Sequence, residues 1–114
     1  MDREHVLAVA DAVEKSVTYD QDRFWFERCG APACIAGHAV ALSGGQHAVM
    51  CGERKSDIGR RTFVTAQAYL EISHDTAITL FICDGLRDPE DKHQAARTLR
   101  HLAETGEIDW EVGA

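Results

Sequence analysis

Apolar residues recur three and four positions apart along most of the chain, and this spacing constrains the fold more than any other feature of the sequence. The first segment carries one such stripe, made of Val6, Leu7, Ala10 and Val13. Asp2 precedes it, where an N-cap residue is expected. A second stripe near the other end consists of Ala95, Ala96, Leu99, Leu102 and Ala103. A stripe of this period marks a helix that buries one face, so amphipathic helices are predicted at both ends of the chain.

Shorter segments with helical signals fill the region between these two stripes. The predicted helices there cover residues 21–28 after a cap at Asp20, 32–43, 62–72, and 74–83 after a cap at Ser73. Residues 46–61 show no sustained period and are predicted to be irregular. Asp88 is predicted to start the last helix, and Gly106 to end it.

Together these segments predict an all-α fold of five to six short amphipathic helices with brief connections. A chain of 114 residues is long enough for a single core and little more, so residues 1–114 are expected to form one domain. The closing residues, EIDWEVGA, are predicted to be a short extended stretch within an acidic tail at about 105–114.

The charge balance limits the classes of partner. The chain has 12 lysines and arginines against 19 aspartates and glutamates, a formal net charge of -7. Because proteins bind the nucleic-acid backbone through lysine and arginine, direct contact with nucleic acid is not expected. An acidic surface instead favours a protein partner with a basic surface. The alternative is that the charge only keeps a small domain soluble.

The N-terminal residues, MDREHVLAVADAVEK, place acids within and before the apolar stretch. A signal peptide or a membrane span would need a longer unbroken apolar run. We therefore predict a cytoplasmic protein that has no membrane partner. The 4 cysteines are expected to be reduced in that compartment.

The stretch CGAPACIAGHAV supports three interpretations. A structural zinc site would use Cys29, Cys34, His38 and Cys51, although the sequence lacks the usual C-x2-C pair. A catalytic site would use Cys34 as nucleophile and His38 as base. The third interpretation is a small-residue helix packed in the core, in which the ring of His38 hydrogen-bonds to the backbone. We favour packing, and therefore predict no cofactor, no bound metal and no enzymatic activity.

The run WFERCGAPACIAGHAVALSGG resembles a family of small uncharacterised bacterial and actinophage proteins. Their signature is an aromatic pair followed by CG-x3-C-x-AG, and the matching residues here are Trp25, Phe26, Cys29, Gly30, Cys34, Ala36 and Gly37. The family pattern places glycine where this chain has Glu71, and it accepts tryptophan where this chain has His38. The resemblance implies a phage-type protein, no activity that can be carried over, and packing rather than metal binding at His38.

Acidic residues concentrate in two late segments and form a candidate docking edge. The candidate partner-binding residues are Glu90, Asp91, Glu104, Glu107, Asp109, Trp110 and Glu111. Trp110 would anchor an interface or, alternatively, fold back onto the core. The resulting hypothesis is that the chain is a small acidic protein-interaction module. It would be a phage-type inhibitor (anti-CRISPR-like) that binds the basic surface of a protein which handles nucleic acid. A structural zinc domain is the alternative, and homo-oligomerisation stays open.

Overall fold

A computed structural model describes residues 1–21, 25–26, 31–32, 34–44, 55–82, 85–86, 88 and 90–113. These residues contain five α-helices: α1 (Arg3–Lys15), α2 (Ile35–Leu42), α3 (Lys55–Leu70), α4 (His74–Phe81) and α5 (Lys92–Thr105). Two short strands, β1 (Trp25–Phe26) and β2 (Ala31–Pro32), and a 3-10 helix (Trp110–Gly113) complete the described elements. The predicted all-α class is confirmed. None of the helices within these ranges has the length and apolar character needed to cross a bilayer.

Helix α1 begins at the predicted cap. The Asp2 carboxylate accepts a hydrogen bond from the backbone N–H of His5 at 3.0 Å, and the N–H of Asp2 donates to the carbonyl of Leu70 at 2.9 Å. These bonds tie the start of α1 to the end of α3. The buried face consists of Val6, Val9, Ala10 and Val13. The prediction for Leu7 was wrong: it is 40% exposed, because Val9 lies closer to the centre of the buried face.

Helices α1 and α5 pack together more extensively than any other pair of elements. The inward residues predicted for α5 are all buried, which confirms its apolar face. At the surface of this pair, the Arg100 guanidinium donates to Glu14 at 2.8 Å and to Asp11 at 3.0 Å. Lys92 at the start of α5 donates to the carbonyl of Ser16, just beyond the end of α1, at 2.9 Å. The two helices therefore run antiparallel.

The helix predicted over residues 21–28 was wrong at Trp25 and Phe26, while residues 22–24 and 27–28 lie outside the described ranges. Trp25 and Phe26 form strand β1, which pairs antiparallel with β2 in the register Trp25 to Pro32 and Phe26 to Ala31. Aromatic residues favour extended backbone, and so short a helix would have been marginal. The same pairing corrects the start of α2, which begins at Ile35 rather than at Pro32. A proline can be accommodated at the edge of so short a ladder.

Helix α3 begins at Lys55, seven positions before the predicted start at Thr62. The irregular stretch predicted over 46–61 was therefore wrong for residues 55–61, while residues 46–54 lie outside the described ranges. Lysine and arginine are good helix formers but carry no apolar period, so periodicity misses a polar start to a helix. The spacing of Phe63, Ala66, Tyr69 and Leu70 predicts one inward stripe, and this prediction is confirmed: Ala66 and Leu70 are buried, and Phe63 and Tyr69 pack against the core.

Helix α4 has the predicted cap, because the Ser73 hydroxyl accepts from the N–H of Thr76 at 3.1 Å. The spacing of Ala77, Ile78, Phe81 and Ile82 predicts one inward stripe, but Ile82 lies beyond the helix and is 63% exposed. Leu80 is buried instead. The stripe predicted for α4 was therefore displaced at its C-terminal end.

The start of α5 and the C-terminal stretch also differ from the predictions. The cap of α5 is Asp91, whose carboxylate accepts from the N–H of Gln94 at 3.0 Å. Asp88 instead closes a local turn by accepting from the N–H of Glu90 at 2.9 Å. The stretch predicted to be extended contains the 3-10 helix, which begins where Asp109 accepts from the N–H of Glu111 at 3.0 Å.

The turn after α3 places Glu71 in the left-handed region, at φ 53°. The N–H of Glu71 donates to the carbonyl of Ala68, and the N–H of Ile72 donates to the carbonyl of Gln67. This pair of bonds is a Schellman motif, whose left-handed position glycine normally occupies. The tight turn therefore forms here with glutamate at the left-handed position.

We expect Glu71→Gly to raise the free energy of unfolding by about 0.5–1 kcal/mol. The substitution removes the steric penalty of a side chain at positive φ, which exceeds the added entropy of glycine in the unfolded chain. Urea denaturation would measure the change. The matched control is Gly106→Ala at φ +81°, where nothing lies within 4 Å of the added Cβ. It should be destabilising, and loss of stability in Glu71→Gly would contradict the prediction.

Candidate functional site

The cysteine–histidine pair of the opening motif lies inside the core. Every residue from Ile35 to Val40 is buried, so α2 is a central helix rather than a surface one. Cys34 caps this helix, its Sγ accepting from the N–H of Gly37 at 3.3 Å. Nδ1 of His38 lies 2.8 Å from the carbonyl oxygen of Cys34. A carbonyl only accepts, so Nδ1 carries the proton. The predicted backbone partner of His38 is therefore confirmed.

These surroundings disfavour a reactive thiol. Burial raises the pKa of the Cys34 thiol to about 11, so it is protonated at neutral pH. Burial also lowers the pKa of His38, and the hydrogen bond to the Cys34 carbonyl opposes this shift only in part. A nucleophilic cysteine needs the reverse arrangement, in which the thiolate is stabilised and accessible.

The proposed zinc ligands are only partly within the described ranges. Cys34 and His38 are one turn apart and already hold backbone partners, whereas Cys29 and Cys51 lie outside the described residues. Among the residues that the structure does describe, no group of three or more His, Cys, Asp or Glu side chains is placed to hold a metal ion.

Because the imidazole of His38 is buried, we expect the free energy of unfolding to fall in mild acid. Its folded-state pKa lies below its ordinary value of 6.5, so the unfolded chain takes up the proton first. Above about pH 6.5, His38 therefore causes no loss in the free energy of unfolding. Below that pH the free energy of unfolding falls, by at most about 1.4 kcal/mol per pH unit, until the pH reaches the lower folded-state pKa. Urea denaturation at about pH 7.5 and about pH 5.5, where few carboxyl groups titrate, would measure the loss.

The control for this prediction is His38→Asn. The asparagine amide can donate to the Cys34 carbonyl in place of Nδ1 and does not titrate. We expect this variant to be less stable at neutral pH and to lose much less stability on acidification. An equal loss in both proteins would show that His38 is not responsible.

The C-terminal residues 107–113, called the strap below, fold back along α5. Ile108 and Trp110 pack against the core, which confirms the second of the two alternatives for Trp110. The indole lies directly against Gly85, so closely that no Cβ could be added there. Gln94, only 1% exposed, donates from Nε2 to the carbonyl of Trp110 at 3.0 Å and to that of Gly85 at 3.4 Å.

This docking brings together two acidic segments that are separate in the sequence. The N–H of Gln94 binds Asp91 while its side chain binds Trp110, so residues 88–91 and 109–111 lie at the same end of α5. We call this group the acidic end; it comprises Asp88, Glu90, Asp91, Asp109 and Glu111. All are exposed except Asp91, which is half-buried. Glu104 and Glu107 lie towards the other end of α5, so the structure divides the predicted partner-binding set.

Two glutamine side chains that were not predicted as site residues connect separate elements of the fold through hydrogen bonds. Gln21 accepts through Oε1 from the Tyr19 hydroxyl at 2.8 Å and from the N–H of Ile35 at 3.2 Å. Its Nε2 lies 3.4 Å and 3.5 Å from the carbonyl oxygens of Leu80 and Phe81. The sequence could have indicated the role of Gln94, because a polar residue on the inward face of an amphipathic helix needs a hydrogen-bond partner. Gln21 offered none, because its partners at Ile35, Leu80 and Phe81 lie far from it in the sequence.

Comparisons with protein-family models, with curated proteins and with solved structures found no match to this chain, so its function has to be argued from its own residues.

Proposed function

We propose that the chain is a small acidic protein-interaction module that binds a basic protein surface through its acidic end. The observation that carries this proposal is the docking of Trp110 beside Gln94, which places two acidic segments that are distant in the sequence at the same end of α5. Ile108 and Trp110 of the strap are directed to the core, while Val112, which is 48% exposed, and the acids stay at the surface. Exposed charge is therefore the main feature that this end offers to a partner, and Val112 adds one exposed apolar side chain.

A concentrated set of like charges raises the rate of encounter with an oppositely charged surface and selects against partners of the same sign. Nucleic acid carries the same sign as the acidic end and would be repelled. The side chains of lysine and arginine, by contrast, pair readily with carboxylates. A protein that grips nucleic acid presents such a surface, and the acidic end would compete for it.

The resemblance to actinophage proteins supports a more specific form of this proposal. A phage-type module without enzymatic activity would act in the cytoplasm as an inhibitor, in the manner of an anti-CRISPR protein, by occupying the basic surface of a defence complex. The buried, protonated thiol of Cys34 supports a binding role rather than a catalytic one.

The binding proposal is tested by affinity capture from a bacterial lysate with the full chain. The test variant, Glu90→Gln/Asp109→Asn/Glu111→Gln, neutralises the acidic end. The control, Glu4→Gln/Glu71→Gln/Asp75→Asn, neutralises exposed acids elsewhere on the described surface. The proposal expects a basic protein that the control retains, that the test variant loses, and that dissociates between about 50 mM and about 500 mM NaCl. Equal capture by the two variants would contradict it.

The inhibitor form needs a separate assay. The chain would be expressed in bacteria that carry a nucleic-acid-guided defence system, and phage plaques would be counted. We expect more plaques with the wild type than with the variant that neutralises the acidic end. No rise with the wild type, together with no binding to the defence complex, would reject this form.

A further inference from the structure

We propose that Gln94 is a positioning residue for partner binding: its side chain holds the strap beside the start of α5, and this placement, together with the charge, determines the affinity of the acidic end. The inference rests on the proposed function and adds a geometric requirement to it. A basic partner meets two acidic segments at fixed places on one helix, rather than a diffuse negative charge.

The hydrogen bonds of Gln94 connect three parts of the chain. The residue is only 1% exposed. Its backbone N–H donates to the Asp91 carboxylate at 3.0 Å, at the cap of α5. Its side-chain Nε2 donates to the carbonyl of Trp110 at 3.0 Å and lies 3.4 Å from that of Gly85. One buried residue therefore links the acidic segment before α5, the strap, and the glycine on which the indole of Trp110 rests.

The amide group of Gln94 suits this junction because both of its partners are backbone carbonyls, which only accept hydrogen bonds. A primary amide nitrogen carries two hydrogens, so it can donate to both carbonyls at once. Glutamate has the same shape, but its ionised carboxylate has no hydrogen to donate. A glutamate at this position would be buried against two carbonyl oxygens, and would either displace them or take up a proton.

The placement of the strap affects affinity because the two acidic segments can contact one partner together. Once one segment is bound, contact with the second is intramolecular, and its strength depends on how the two are held relative to each other. The docked strap holds Asp109 and Glu111 in place before the partner arrives, so binding does not have to order them. A displaced strap should therefore bind a basic partner more weakly, although every carboxylate is still present.

Two substitutions that add the same charge at adjacent positions test this inference. Gln94→Glu and His93→Glu both place an acid in the first turn of α5, where the helix dipole favours negative charge. His93 is exposed, so only Gln94→Glu disturbs the buried junction. Titration at about pH 7.5 and about 50 mM NaCl with a lysine homopeptide should show His93→Glu binding about twofold more tightly than the wild type, and Gln94→Glu about threefold more weakly.

The outcomes distinguish this inference from the proposed function. If charge alone sets the affinity, both substitutions tighten binding, and the role of Gln94 is rejected while the proposed function stands. If the variant that neutralises the acidic end binds the peptide as tightly as the wild type does, both proposals are rejected.

A pH profile separates positioning from a general loss of structure. Protonation gives the carboxyl group of Gln94→Glu one hydrogen to donate, so this variant should regain part of its affinity between about pH 7.5 and about pH 5.5. The exposed carboxylate of His93→Glu stays ionised over this range, so that variant should show no such gain. Among the described contacts, the titratable partner of residue 94 is Asp91, which binds its backbone N–H rather than its side chain. An affinity that stays low at both pH values would overturn the proposal.

Gln94→Met provides a second test if Gln94→Glu fails to fold. Methionine is similar in length and neutral, but it donates to neither carbonyl. An indole held against Gly85 shifts the NMR signals of the glycine Hα protons, and we expect this shift to decrease while the amide signals at the centre of α5 stay unchanged. Affinity for the peptide should again fall about threefold at an unchanged net charge. A reduced Gly85 shift with unchanged affinity, or lower affinity with an unchanged shift, would contradict the role of Gln94.

Discussion

Leu99→Ala is expected to lower the free energy of unfolding by about 3 kcal/mol. Leu99 is fully buried at the middle of α5, the helix that packs most extensively against α1. Truncation removes apolar contacts and leaves a cavity that two antiparallel helices can close only in part. Because small domains are stable by only about 5–15 kcal/mol, a large share of the total would be lost. Urea denaturation followed by circular dichroism would measure the change.

The matched control for this prediction is His93→Ala on the same helix. His93 is exposed, so its truncation should change the free energy of unfolding by no more than about 0.5 kcal/mol. If both substitutions had similar effects, the contact between α1 and α5 would not be the main core of the fold.

Gln21→Ala is expected to destabilise the protein by about 2 kcal/mol, although Gln21 belongs to no helix. Its amide serves the first N–H of α2 and lies beside the last carbonyls of α4. Helix ends leave such groups without intrahelical partners, so one side chain satisfies the ends of two helices. Its removal leaves half-buried polar groups to find water, and denaturation in urea would measure the loss.

Two further variants test whether the amide acts at both of these helix ends. Gln21→Glu keeps an acceptor for the N–H of Ile35 but places a carboxylate beside the carbonyls of Leu80 and Phe81, so it should also be destabilising. Tyr19→Phe removes only the hydroxyl that donates to Gln21 and should have an effect of about 1 kcal/mol or less. A Gln21→Ala protein as stable as the wild type would contradict the role of this residue.

The sequence left two alternatives open for Trp110. Its position among acids fits an interface anchor, since aromatic side chains often hold complexes together, and equally a side chain that folds back onto the core. The structure places it against Gly85 and the core, where it positions the acids around it. No pattern within EIDWEVGA distinguishes the two outcomes, because the surface that receives the indole is made by residues far away in the chain.

The sequence by itself determined the all-α class, the inner face of α5, the inner face of α1 except at Leu7 and Val9, the caps at Asp2 and Ser73, and the stop at Gly106. These features depend on interactions within one or two helical turns, which the local sequence contains in full. The same holds for the backbone partner of His38, which lies one turn away at Cys34.

Only the tertiary structure decided the pairing of Trp25 with Pro32, the bridging role of Gln21 and the joining of the two acidic segments. Each of these joins residues that the local sequence pattern treats separately. Such long-range contacts form only when the whole fold stabilises them. Its contacts must offset the entropy that is lost when the chain between the two partners is closed into a loop. For this reason the helical faces could be read from the spacing of apolar residues, whereas the acidic end appears only once the strap lies beside Gln94.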